Sequence, residues 1–199
     1  MSAEVEAFLH DPEHFRCDDG STYGAPTDRP ELYRPATLRR RLLPVLTRLS
    51  ADDFRLLARD RNLLILAAPT SREKPQSPPG TIDPVAHGAG SFSGHYPWDA
   101  ATSALDRPPG SWVLKLGRLE VELAPRLAFA GIVIHECMHV LLGYQPAAGT
   151  VDAAAEQQLE DEAVRRACNL GFRRETVAFR NFFATRFPDV PIIGRLPPA

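Results

Sequence analysis

AGIVIHECMHVLLGY, residues 130–144, is the stretch from which the rest of the chain is read. It sets His135-Glu136-Cys137-Met138-His139, an HExxH pattern, inside an apolar run with helical spacing. On an α-helix, positions four apart stand one turn apart on one face, so His135 and His139 can offer imidazole nitrogens to a single metal ion. Glu136 lies about 100° round the helix from His135, within reach of a water at the metal without being a ligand. Cys137, about 200° from His135, points away and reads as a packing residue. Ile132, Val133, Ile134, Met138, Val140, Leu141 and Leu142 make the run apolar almost all round, so the helix should be buried. Pro125 suits its start and Gly143 its C′ position. Imidazoles and a carboxylate in such a helix are costly unless paired or metal-bound. Zinc accepts these donors and keeps one position open when it is catalytic, and the glutamate is then the general base for hydrolysis.

Composition narrows the alternatives. The 199 residues suffice for one domain with a substantial core, or one domain with extensions. Hydrophobic residues at 44% and charged residues at 24% are ordinary for a soluble globular protein. A net charge of -2 and a pI near 6.3 give no overall basis for binding nucleic acid or an anionic membrane. No apolar run is long enough to span a bilayer, and MSAEVEAFLHDPEHF lacks the basic-then-apolar order of a secretory signal. Three widely spaced cysteines, Cys17, Cys137 and Cys168, make no disulfide framework and fit a reducing cytosol, so a cytoplasmic protein is expected.

Residues 1–10 form a short helix with Val5, Phe8 and Leu9 on one side, and the Pro-, Gly- and Asp-rich 11–35 are irregular. Residues 36–49 have helical spacing interrupted at Pro44, and Arg39-Arg40-Arg41 reads as a solvated face. Ser50 with Asp53 resembles a capping box that opens a helix through about Arg59. NLLILAA, 62–68, suits a buried strand. Residues 69–110 are the least regular part, a surface excursion or a substrate-covering flap, and His87 and His95 within it have no partner at metal-ligand spacing. SWVLKLGRLEVEL, 111–123, alternates like a strand, with Gly117-Arg118 as a hairpin turn or a bend. After the loop from Tyr144, Thr150 or Asp152 caps a helix that Gly171 closes. A last helix covers roughly Glu175–Arg186, followed by a proline-rich, non-helical tail.

A third metal ligand must come from elsewhere. Glu156 and Glu160 share a face of the second helix with Ala163 and Ala167, small residues that allow close approach to the HExxH helix. Glu160, one turn before Ala163, is the first choice, with Glu156 and Asp152 as alternatives. Glu160-Asp161-Glu162-Ala163, followed by Ala167 and Leu170, is similar to the E-x-E-A-x-x-x-A-x-x-L pattern of small intracellular gluzincin metallopeptidases, among them the minigluzincins and the ImmA/IrrE-type peptidases. That resemblance covers about residues 111–171. It implies a zincin-like α+β fold, with a small, mostly antiparallel sheet on the HExxH helix and the following glutamate helix. It implies Zn²⁺ held by His135, His139 and Glu160. The family often has Asp or Asn one turn after the ligand glutamate to orient the first histidine, and Val164 stands there instead. Gly149-Thr150-Val151-Asp152 resembles the aspzincin GTxD motif, but the Tyr-Gly that follows in that family is absent. The metzincin pattern fails at Leu142 and Gln145.

These readings divide the chain into an N-terminal helical and loop-rich extension (1–110), a peptidase core (111–187) and a proline-rich tail (188–199). The expected activity is zinc-dependent peptide-bond hydrolysis by metal-activated water with Glu136 as general base, acting on a protein or peptide, with no nucleic acid or membrane partner. Tyr144, Arg165 and His95 are the candidates to stabilise the oxyanion. By the resemblance, 111–116 or 119–123 offers its edge to an extended substrate. The alternatives are a catalytically idle zinc module used for binding or regulation, which has no need of Glu136, and a latent enzyme in which Cys17 or the N-terminal segment occupies the open metal position.

Overall fold

Two short apolar runs, β2 (Leu64–Ala67) and β4 (Trp112–Leu116), make the centre of the sheet, paired in parallel with Leu64 opposite Val113. The structure, a computed structural model, describes residues 1–17, 27–67, 94–97 (as backbone), 107–143, 153–186 and 194–198. Strand β1 (Phe15–Cys17) lies parallel to β2, and β3 (Gly94–Pro97) lies antiparallel to β4, giving the order β1-β2-β4-β3. The α+β class is as expected, but the mostly antiparallel sheet is not: three strands are parallel and only the β3 edge is reversed.

Neither the hairpin nor the single bent strand expected over 111–123 forms. At Gly117 the chain leaves the sheet and enters α4 (Arg118–Leu123). The alternation Leu119, Val121, Leu123 mimics a strand, yet Glu120 and Val121 turn inward while Leu123 is 40% exposed. The Arg118–Glu122 pair at 3.1 Å spans one helical turn, a spacing no strand provides. Without a hairpin partner, β4 pairs with strands remote in sequence. Helices α2 (Pro35–Leu46) and α3 (Ala51–Arg55) lie between β1 and β2, the long connection a parallel pair requires.

Alternation along the central strands splits their side chains between two buried faces. Leu64, Leu66 and Val113 form one small cluster, while Ile65, Ala67, Trp112, Leu114 and Leu116 enter the main core. Over that main face lies α5 (Arg126–Leu142), against β3 and β4 and beside α2 and α7 (Arg173–Arg186). Val5, Phe8 and Leu9 of α1 (Ser2–His10) are buried in the same core. The first 110 residues therefore supply strands and helices to the sheet and core on which α5 rests.

Buried Arg107 and half-buried Arg39 and Arg41 hold these elements in register. Arg107 donates to the Glu13 and Asn62 carbonyls, joining the segments that lead into β1, β2 and β4. Arg41 donates to the Val121 and Ala124 carbonyls at 2.7 and 3.1 Å and lies 3.6 Å over the Phe129 ring. Arg39 donates to the Leu9 carbonyl, so of the basic run only Arg40 is fully exposed. Burial pulls the Arg41 pKa down to about 10. Helix α2 runs past Pro44 to Leu46; the missing donor deprives only the carbonyl of exposed Arg40. Ser50 caps α3, its hydroxyl accepting from the Asp53 N–H at 3.0 Å as the capping pattern implies.

Other segments singled out in the sequence fall outside the described residues: 69–93 with His87, 98–106, the loop 144–152 with Tyr144 and Asp152, and the side chains of His95 and Glu156. Among the described residues no helix is long and apolar enough to cross a membrane.

Helices α5 and α7 cross at Gly131. A Cβ there would stand 2.2 Å from the Glu175 carbonyl oxygen and 2.7 Å from the Phe179 Cβ. Backbone cannot yield as a flexible side chain can, so Gly131→Ala is expected to lower unfolding stability by about 1–3 kcal/mol, the usual cost of overpacking. Denaturant unfolding measures this; a variant as stable as the parent would show that the helices are not in such close contact.

Candidate metal centre

The apolar run of α5 folds as the helical period requires, and Gly143 closes it in the left-handed conformation (φ 67°). From Ala128 to Leu141 every residue is buried except Glu136, which is half-exposed. Solvent therefore reaches this helix at the position next to His135. His135 and His139 are 7% and 1% exposed, one turn apart, with ring centroids 4.5 Å apart.

Glu160 comes from α6 (Ala153–Ala167), whose Ala163 and Ala167 are fully buried, as the small-residue face implies. Its carboxylate straddles both imidazoles. Glu160 Oε2 is 3.1 Å from His135 Nε2 and Oε1 is 3.3 Å from His139 Nε2, while the two Nε2 atoms are 3.1 Å apart. The three residues make a group of donors able to hold one metal ion. Tetrahedral bonds of about 2.0–2.1 Å place ligand atoms roughly 3.3 Å from one another, so these separations fit a zinc ion with little movement.

The chemistry of the donor set points the same way. Two buried imidazole nitrogens facing each other need a positive centre between them, a proton or a metal ion. Burial opposes the charged form of His135, but the Glu160 carboxylate, with Glu136 adding to it, more than compensates and raises its pKa. Burial also acts to raise the Glu160 pKa, yet hydrogen bonds from His135 and His139 hold it well below the ordinary carboxylate range. The cluster thus favours a cation beside a carboxylate. The fit is incomplete at the first histidine, whose Nδ1 is buried and has no hydrogen-bond partner among the described residues. Val164, where an orienting acid or amide is common in the resembled family, is fully buried and apolar.

The remaining candidates divide. Arg165 is exposed and turned outward onto Glu162 at 2.9 Å, so it does not face the metal donors. Asp161 and Glu162, flanking in sequence, bond to Arg195 and Arg165 respectively. Phe179 on α7 walls the site, its ring 5.3 Å from that of His135, and Arg180 lies near enough to act on the His135 charge. Nothing in the sequence marks Phe179, because α7 carries no motif that ties it to the histidines.

No protein-family model, curated protein or solved structure matches the chain.

All three cysteines are free thiols. Cys17 sits on β1, at the opposite edge of the sheet from β3. Burial pushes its pKa up to about 12, against a smaller opposing effect of Arg39. At pH 8 only roughly one Cys17 in 10⁴ is then thiolate, the form that reacts and binds metal. Alkylation of Cys17 in the native protein is expected to be very slow at pH 8 and to rise about tenfold per pH unit above it, as followed by mass spectrometry; rapid modification at pH 8 would contradict that burial.

Proposed function

We propose that this protein is a zinc-dependent peptidase of zincin type, with His135, His139 and Glu160 as metal ligands and Glu136 as general base. One observation carries the reading: two buried imidazoles and a half-buried carboxylate meet at zinc-ligand separations, and the one half-exposed residue between Ala128 and Leu141 is the glutamate beside the first histidine. A purely structural site has no use for that carboxylate. The sheet supports the reading, with one reversed strand at its edge and the HExxH helix packed against it.

Zinc, when bound, supplies a Lewis acid and lowers the pKa of water to about 7. Glu136 accepts the proton of the attacking water and returns it to the leaving amine. The imidazoles of His135 and His139 and the carboxylate of Glu160 would hold the metal, with the Phe179 ring packed 5.3 Å from that of His135. Neither stretch first expected to offer an edge does so: 112–116 is flanked on both sides and 118–123 is helical. Among the described residues β3 is the outer strand on this side, and an extended peptide adding to it would lie beside α5. The free thiols suit the cytosol as its compartment.

Incubation with a peptide library, with and without a chelator, tests the activity; cleavage that persists in the chelator, or none with zinc restored, would contradict it. Glu136→Gln should keep one equivalent of zinc and lose hydrolysis by at least about 100-fold. Undiminished cleavage by that variant would remove Glu136 from the role of base. Glu160→Ala should lose zinc, by elemental analysis, far more than Glu156→Ala; the opposite ranking would move the third ligand by one turn.

A further inference from the structure

The segment 194–198 lies against the turn of α6 that carries Glu160. Gly194 is buried with φ 87°, and a Cβ on it would come within 2.7 Å of Val164 Cγ2 and 3.0 Å of the Glu160 carbonyl oxygen. The next residue grips Asp161, the neighbour of Glu160. The Arg195 backbone N–H donates to Asp161 Oδ1 at 2.6 Å and its Nε to Oδ2 at 2.9 Å, while Gln157 donates to Oδ1 at 2.8 Å. From the other side α7 holds the same segment. Arg180 donates to the Gly194 carbonyl, and Arg173 to those of Pro197 and Pro198 at 3.0 and 3.3 Å.

We infer that residues 194–198 are a positioning strap that fixes the metal donor Glu160 relative to the two histidines. The inference rests on the metal reading of His135, His139 and Glu160. Its logic is one of registry. Helix α7 is locked to the histidine helix at Gly131, where backbone meets backbone. Helix α6 packs on α5 but makes little direct contact with α7, which it joins through a turn in which Gly171 has φ 84°. The strap closes the gap by bonding α7 on one side and the Glu160–Val164 turn on the other. It does so on the face where Val164 replaces a polar group that would reach the first histidine. The carboxylate is thereby held from behind, through its own backbone, rather than through a hydrogen bond to the imidazole. Asp161, Gly194 and Arg195 are positioning residues: none is a donor to the metal.

The test uses the full chain carrying Asp161→Ala, Asp161→Asn or Gly194→Ala. Zinc affinity is measured by chelator competition, the visible spectrum is recorded with Co²⁺ in place of zinc, and melting of the metal-free protein reports folding. Asp161→Ala and Gly194→Ala are expected to weaken zinc binding by about tenfold or more, the usual effect of losing an outer support, and to alter the Co²⁺ bands. Metal-free melting should shift by no more than about 4 °C. Asp161→Asn, which keeps an acceptor for the Arg195 N–H, should recover part of the affinity. If wild type binds one zinc and both Asp161→Ala and Gly194→Ala match its affinity and spectrum, the strap is overturned and the metal reading stands. If wild type takes up no zinc, the metal reading falls and the inference with it.

Discussion

Three groups that each seek a cation are packed into one corner from which water is largely excluded. A carboxylate between two imidazoles, at 3.1 and 3.3 Å, calls there for positive charge among them, a proton or a metal ion. That constraint orders the rest of the molecule. The histidines need a helix so apolar that it cannot leave the core, and the sheet beneath it supplies a surface apolar enough to receive it. The carboxylate needs a second helix able to come close, which Ala163 and Ala167 permit. Between Ala128 and Leu141 the helix meets solvent only at Glu136, so the place where water can arrive is set by the same packing that buries the two histidines.

Rigidity is distributed around this corner rather than built into it. Arg107 joins the entries to three strands, Arg41 fastens α4 to the flank of α5, and the contact at Gly131 sets the angle between α5 and α7. In the first two cases guanidinium groups donate to backbone carbonyls. Such bonds are strong and directional, and they satisfy carbonyls at strand entries and helix ends that would otherwise be left without donors. In a chain with many prolines, and so with much of its backbone outside regular structure, this is an economical way to fix loops to helices.

What could be read from the chain was whatever its local pattern encodes. Helix α5 was legible because its apolar period, its terminal Gly143 and its HExxH spacing agree. Glu160 was legible because its face is shared with two alanines. The sheet was less so. A three-residue strand such as Phe15–Cys17 has too little pattern to stand out from a loop, and the direction of pairing between β1, β2 and β4 depends on segments far apart in sequence. Residues 118–123 misled because six residues of alternating Leu, Val and Glu satisfy both periods; the Arg118–Glu122 pair was the signal for helix. Residues 194–198 show in the sequence only as part of a proline-rich, non-helical tail. Their partners lie on two helices, and the arginines at 173, 180 and 195 make those bonds.

The central claim is the identity and number of the atoms around the metal. X-ray absorption at the zinc edge, on protein loaded with one equivalent, measures this directly. The account predicts a shell of nitrogen and oxygen alone at about 2.0–2.1 Å, with the outer scattering of two imidazoles. A sulfur neighbour at about 2.3 Å, or a zinc ion surrounded only by solvent oxygens, would contradict it.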